Sequence, residues 1–275
     1  MSTPITKADG TTEPFRAEKL ETSLTRAGAS RDEVRRVVEQ VEQELFPGMT
    51  TEAIYRRAFA ILRESTNLTA TKYSLRRALF GLGPTGFPFE TFLARLFEDE
   101  GYEVDIGKTM HGNCAPHELD LIAYKTNDCF VAEAKFHQRP AVKSDLQVAL
   151  YSYARFLDLK GHKPTPKACG VVSYWIITNT KFTKTAVEYA ECVGLSLLSW
   201  GYPHKNNLQS KIEEKRLYPI TVLTSLTRKE KASLLQTGVI LCRDLIDNRD
   251  HLRSIGLPHN KIERVMAESS HLCKG

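Results

Sequence analysis

His117-Glu118-Leu119-Asp120-Leu121-Ile122 and Phe130-Val131-Ala132-Glu133-Ala134-Lys135-Phe136 are two apolar runs, each broken by charge. Side chains at i and i+2 of a strand share a face, so Glu133 and Lys135 project together while Ala132 and Ala134 point the other way. A four-residue connection, Lys125 to Asp128, gives a simple antiparallel pair with Asp120 opposite Glu133; a three-residue loop would set them on opposite faces. Single charged residues in a strand usually face solvent. Here the flanking residues are apolar on both faces, which implies a sheet covered on both sides, where unpaired charge is expensive.

Working outward, Phe89, Phe92, Leu93, Leu96 and Phe97 keep helical spacing, and strand-like runs follow at 102–106, 118–124 and 129–136. Val142, Leu146, Ala149, Leu150, Tyr153 and Leu157 return to helical spacing. Residues 170–178 then read as strand, 181–193 as helix and 195–200 as a short last strand. This order predicts an α/β unit, a mixed sheet with helices packed on it.

Before it, residues 15–80 are helical: Leu20, Leu24 and Ala27, then Val34, Val37, Val38 and Val41, then a helix over 51–64 started at Thr51. Gly81-Leu82-Gly83-Pro84-Thr85-Gly86 breaks any helix and marks a boundary. From 203 the pattern changes to short helices separated by Gly238 and Gly256-Leu257-Pro258, a small helical module. Three units are expected, 1–86, 87–202 and 203–275, as suits a chain of 275 residues.

With 41% apolar and 26% charged residues the composition is that of a globular protein. No stretch approaches the roughly 18 apolar residues of a membrane span. The start, MSTPITKADG, lacks a basic, apolar leader, so a cytoplasmic protein without membrane partners is expected. The six cysteines form no C-x-x-C pair, which argues against a structural zinc site and a disulfide framework and for reduced thiols. A net charge of +5 permits a polyanionic partner without demanding one.

Two carboxylates converging on one spot suit a hard cation such as Mg²⁺, for which Mn²⁺ can substitute, and the Ala134 carbonyl lies next to them in sequence. A metal so held lowers the pKa of bound water and stabilises charge developing on phosphorus, while Lys135 orients or activates the nucleophile. Around these residues stand Phe89-Glu90, Gly101-Tyr102, Gln147-x-x-x-Tyr151 and Thr178-Asn179-Thr180-Lys181-Phe182-Thr183. Together with Glu118-Leu119-Asp120 and Glu133-Ala134-Lys135 they resemble the PD-(D/E)XK nucleases, within them the Mrr-like type IV restriction endonucleases, over residues 87–200. The chain departs from the commoner pattern in having Ala134 where cysteine is frequent and His117-Glu118 ahead of the acid.

The resemblance implies a restriction-endonuclease-like fold and cleavage of DNA, with Asp120 and Glu133 binding metal and Lys135 serving catalysis. Gln147 would support the site and Glu90 would add a carboxylate; Glu90 reads equally as a helix-surface acid, and Tyr151 equally as packing. Lys135, His137, Arg139, Lys143 and Lys181 are candidates for neutralising DNA phosphates. Because such nucleases often use two active sites, a homo-oligomer is expected.

Ile5-Thr6-Lys7-Ala8-Asp9-Gly10, Phe15, Lys19-Leu20, Gly28, Met49-Thr50-Thr51-Glu52 and Lys72-Tyr73 resemble an ATP-cone, the nucleotide-binding regulatory module of ribonucleotide reductases and their repressor. The resemblance implies that Lys7, Glu13, Phe15, Lys19 and Thr51 line a site for ATP or dATP. There is no G-x-x-x-x-G-K-[ST] loop, so the nucleotide would regulate and not fuel. Where the family often has arginine this chain has Ala8, and a cone that has lost its nucleotide is the competing reading. Residues 226–272 weakly resemble helix-hairpin-helix modules, and read equally as a packing or oligomerisation element.

The expectation is a nucleotide-responsive, Mg²⁺-dependent endodeoxyribonuclease acting against foreign DNA. Two alternatives stand beside it: a nucleotide-sensing DNA-binding regulator with an inactive nuclease fold, and a Holliday-junction or RNA nuclease of the same chemistry.

Overall fold

The computed structural model describes residues 3–65 and 67–274, with the side chains of residues 65, 67, 68 and 274 left out of the description. The chain opens with an antiparallel hairpin of β1 (Pro4–Thr6) and β2 (Thr12–Pro14), in which Ile5 faces Glu13. Three-residue strands carry too little alternation to be read from sequence, and this hairpin was not expected. Its turn needs Gly10, whose φ of +83° lies in the left-handed region that side chains avoid.

Helices α1 (Ala17–Arg26), α2 (Arg31–Gln43), α3 (Thr51–Ser65) and α4 (Asn67–Tyr73) follow. The apolar spacing holds: Leu20 and Leu24, Val37, Val38 and Val41, and Ile54, Ile61 and Leu62 are buried in one cluster with Ile5. Ser30 starts α2 with a reciprocal cap to Glu33, and Thr50 accepts from Ala53 N at the start of α3. α5 (Leu75–Phe80) and the Gly81–Gly86 break lead into α6 (Phe87–Asp99).

The expected mixed sheet forms. β3 (Glu103–His111), β4 (Pro116–Lys125) and β5 (Asp128–Lys135) are antiparallel neighbours, and β7 (Ser173–Thr178) and β9 (Ser196–Ser199) extend them in parallel, in the order β3-β4-β5-β7-β9. A second, two-stranded parallel ribbon joins β6 (Lys143–Ser144) to β8 (Lys181–Phe182). It replaces the outer ends of two expected helices: α7 runs Leu146–Leu159, capped by the Asp145 side chain, so Val142 lies outside it, and α8 runs Lys184–Val193, capped by Thr183. Both caps accept backbone N–H groups that the first turn leaves unpaired, which fixes the starts there.

Both faces of the sheet are covered, as the apolar neighbours required. α6 packs Phe89, Phe92 and Phe97 over Leu121, Phe130, Ala132 and Ile177 on one face. α7 and α8 pack Ala149, Phe156 and Ala190 over Ile122, Val131, Tyr174 and Ile176 on the other. β5 is buried at its six central positions.

The remaining elements are α9 (Leu208–Lys215), a 3₁₀ turn (Ile220–Val222), α10 (Arg228–Gln236), α11 (Cys242–Asp247), α12 (Asp250–Ser254) and α13 (His259–Lys274). Their Leu208, Ile220, Leu234, Leu245 and Val265 join the same cluster as α5 and α6. Arg95 of α6 pairs with Asp244 of α11 at 2.8 Å. The core therefore runs unbroken past residues 86 and 202. All six cysteines are free, Cys129 and Cys242 buried, Cys114 and Cys192 exposed. No helix among the described residues is long and apolar enough to cross a membrane.

Candidate functional site

The hairpin of β4 and β5 closes on Lys125 facing Asp128, with Thr126 and Asn127 as the turn. The connection keeps the even parity on which the register depended. Leu121 pairs with Ala132, so the next positions outward are Asp120 and Glu133. There the ladder gives way to a side chain: Ala134 N–H donates to Asp120 Oδ2 at 2.7 Å. The two carboxylates come together at the open end of the pair.

Glu133 is held from two sides. Lys135 Nζ donates to its Oε1 at 2.5 Å and Arg155 Nη1 to its Oε2 at 2.5 Å, with the Tyr174 hydroxyl 3.5 Å from the same oxygen. The Glu133 and Arg155 side chains are 8% and 6% exposed, Lys135 34%. Arg155 is the residue that sequence reasoning missed. Its signal was the continuation of Gln147-x-x-x-Tyr151 by four more residues, which brings the Arg155 guanidinium to 5.1 Å from the Tyr151 ring. Gln147 itself is exposed at the first turn of α7, and its backbone N–H donates to Asp145.

Charge crowding shows in the carboxyl groups. Burial and then the charge of Glu133 push the Asp120 carboxyl above the usual range, against the Ala134 N–H and the nearby cations. Glu90, on the first turn of α6, is pushed up to about 7 by burial and then by Asp120, Glu133 and Glu118. Thus the structure brings Asp120, Glu133, Lys135 and Glu90 to one place.

The end of β5 is clamped. Thr178 Oγ1 donates to the Lys135 carbonyl at 2.7 Å, and the Asn179 side chain both accepts from His137 N and donates to His137 O, each at 2.9 Å. Thr178, Asn179 and Thr180 are wholly buried. His137 Nε2 lies 3.2 Å from Ser144 Oγ of β6. Of the cations expected to meet phosphate, Arg139 and Lys143 are exposed, and Lys143 pairs across the β6–β8 ribbon with Lys181, which lines a cleft toward the N-terminal helices.

Among the described residues no group of three or more histidine, cysteine, aspartate or glutamate side chains stands ready-made to hold a metal. The carboxylate oxygens present are of the kind a hard cation takes, and Asp120 and Glu90, raised first by burial and then by their acidic neighbours, would be eased by one. Lys135 occupies Glu133 Oε1, so such an ion would take the place of its ammonium.

At the other end of the chain, Glu13, Phe15, Lys19 and Thr51 line one small pocket of about 150 Å³. Lys19 Nζ donates to Glu13 Oε1 at 2.8 Å, which with burial opposing holds the Glu13 carboxyl below its usual value. Lys7 stands outside the lining, 3.7 Å from Glu13 Oε2. Tyr55 and Tyr73, also in the lining, stack at 5.1 Å and 10°, an aromatic surface the expected set did not include.

Residues 4–79 match the ATP cone domain, so the N-terminal part is an ATP-cone, a module of nucleotide sensing. Residues 218–273 match the family described as AF1548-like, C-terminal. Over 178 residues the chain is 39% identical to an Archaeoglobus fulgidus protein named "Uncharacterized protein", a span of 64% of this chain and 97% of that one. It is also similar to a solved structure described as the crystal structure of a protein of unknown function, AF1548, with 36% identity and a TM-score of 0.56 over 70% of this chain and 100% of that chain.

Proposed function

The chain belongs to the family of the Archaeoglobus fulgidus protein and AF1548, and from that scaffold joined to an ATP-cone we propose a nucleotide-regulated, metal-dependent nuclease of the PD-(D/E)XK type. The observation that carries the reading is the meeting of Asp120 with Glu133 and Lys135 on adjacent strands at the open end of a sheet buried on both faces. A buried strand spends free energy to keep charge there, and a function that needs the charge accounts for it.

Asp120, Glu133 and the Ala134 carbonyl would hold the metal. A divalent cation bound there supplies an electrophile for a phosphoryl oxygen and a lower pKa for water. Arg155 keeps Glu133 Oε2 in one orientation while Oε1 is given up by Lys135. The freed ammonium then faces the phosphate or the attacking water. Without metal, burial and then the neighbouring carboxylates push Glu90 up to about 7; a cation on Asp120 and Glu133 would draw it back toward the ordinary carboxylate range, where it would act as a base. DNA is the proposed substrate, with Arg139 and Lys143 toward its backbone and ATP or dATP as the regulator.

The test is cleavage of supercoiled plasmid with Mg²⁺ by wild type and Asp120→Ala, with and without ATP or dATP. Nicking or linearisation that the substitution abolishes is the expected result, and equal rates with and without nucleotide would remove the regulation. One observation favours a second reading. Both oxygens of Glu133 are already neutralised by Lys135 and Arg155, as in a structural ion network. DNA bound but never cut, by wild type or variant, would select that reading, a nucleotide-sensing DNA-binding protein.

A further inference from the structure

A cleft of about 540 Å³ lies between the ATP-cone and the sheet, larger than the pocket in the cone and within the roughly 300–1,000 Å³ of small-molecule sites. Arg26, Lys72 and Arg76 come to it from the cone side, Lys181 from β8, and Trp200 and Tyr202 from beyond β9. No carboxylate lines it. Among the described residues none of those four cations has an ion-pair partner, and the Arg76 Nε atom is buried with no hydrogen-bond acceptor. Burial lowers Arg76, and Lys181 is lowered by burial and then by Arg76, Lys143, Lys7 and Lys19. Like charges gathered from two parts of a fold repel, and a multivalent anion between them reverses the sign of that energy.

The geometry points to a polyphosphate site that the cone and the sheet complete together, with Arg76 and Lys72 on one side and Lys181 on the other, holding the triphosphate of the nucleotide that the cone senses. It rests on the cone binding nucleotide. The occupant follows from continuity: Lys19, Ser23 and Tyr73 line both the 150 Å³ cone pocket and this cleft, so a nucleotide in the first extends its phosphates into the second. With Lys19, which pairs with Glu13, five cations line the cleft, a gathering of positive charge that suits a triphosphate.

The site explains how the nucleotide reaches the chemistry. Lys181 lies two residues beyond Asn179, which grips His137 by two bonds, and its strand β8 pairs with β6, whose Ser144 meets the His137 ring. Phosphate that draws Lys181 toward the cone therefore acts on the backbone that carries Lys135. Lys181 is a positioning residue for the nuclease site and a binding residue for the nucleotide.

The experiment is calorimetric titration of the full chain with ATP, AMP and sodium tripolyphosphate, and with a twelve-nucleotide single strand, for wild type, Lys181→Glu, Lys181→Ala and Lys184→Glu. Lys181 is exposed, so the substitutions preserve the fold, which a melting curve checks; Lys184, 89% exposed, lies outside the cleft. Lys181→Glu is expected to weaken ATP and tripolyphosphate at least tenfold and Lys181→Ala less, with AMP changed under threefold and Lys184→Glu like wild type. Unchanged ATP affinity in Lys181→Glu overturns the shared site while leaving the cone's nucleotide binding intact. Tripolyphosphate binding that depends on Lys181, with no binding of ATP or AMP, supports a polyphosphate cleft and removes the nucleotide reading instead. Loss of single-strand binding alone overturns the proposal in favour of substrate phosphate.

Discussion

Replacing Arg155 with methionine tests the charge balance of the acid pair. Arg155 and Glu133 are 6% and 8% exposed and meet at 2.5 Å, so solvent does not screen them as it would a surface pair. Removing one partner of a buried pair costs about 3–5 kcal/mol, because the other charge stays behind. Lys135 remains 2.5 Å from the second oxygen, which places Arg155→Met at the lower end, about 3 kcal/mol. At about 2–4 °C per kcal/mol for domains of this size, Tm falls by about 6–12 °C. Glu133→Gln in the same chain removes the stranded charge, and the double variant is expected to regain at least about 2 kcal/mol as a coupling energy. Urea unfolding followed by circular dichroism of the wild type, both single variants and the double variant closes the cycle. Effects that add within about 0.5 kcal/mol would refute the claim that Arg155 neutralises Glu133.

Three further outcomes are expected. Gly170→Ala puts a methyl 2.4 Å from the Gly161 carbonyl oxygen, a backbone atom that cannot step aside, and urea midpoints should show a loss of about 1–3 kcal/mol. Asp158 accepts from Cys114 N, Ala115 N and His117 Nε2 and so closes the β3–β4 connection, and chiefly the His117 bond holds its carboxyl well below the usual range. A depressed carboxyl stabilises fully above its unfolded value and loses this as pH falls toward the folded one, so the Tm gap between wild type and Asp158→Asn should shrink from about pH 4 downward. A gap independent of pH would sink that account. Glu90 is displaced the other way, to about 7, so its ionisation costs stability progressively between about pH 4.5 and about pH 7. Glu90→Gln should match wild type near pH 4 and exceed it at pH 8 by about 1–2 kcal/mol after allowance for solvent screening.

What could be read from the chain is what neighbouring residues determine. Alternation with charge at Asp120, Glu133 and Lys135 between apolar residues implied a sheet covered on both faces, and the parity of the turn set Asp120 across from Glu133. Strands of two or three residues, β1, β2, β6 and β8, fall below the length at which alternation is visible, and the caps Asp145 and Thr183 moved two helix starts inward. Lys181 read as a contact for DNA from its sequence neighbours alone; in the structure it also lines a cleft with Arg26, Lys72 and Arg76 of the cone, which no local pattern could show.

Arg155 sharpens the point. Strand pairing alone sets two carboxylates, Asp120 and Glu133, beside one cation, Lys135, and the negative charge left over suits a metal. Packing of α7 against the sheet adds a buried cation to one of them, 22 residues distant in sequence. The difference between a metal-binding pair and a self-compensated ion network is therefore written in how one helix is turned on the sheet. With Arg155 on one oxygen of Glu133 and the more exposed Lys135 on the other, only the second can be exchanged for a metal without stranding a buried charge. On the proposed reading the acid pair would keep one fixed partner, Arg155, and give up one replaceable one, Lys135, so that the same residues would serve a resting state without metal and a metal-bound one.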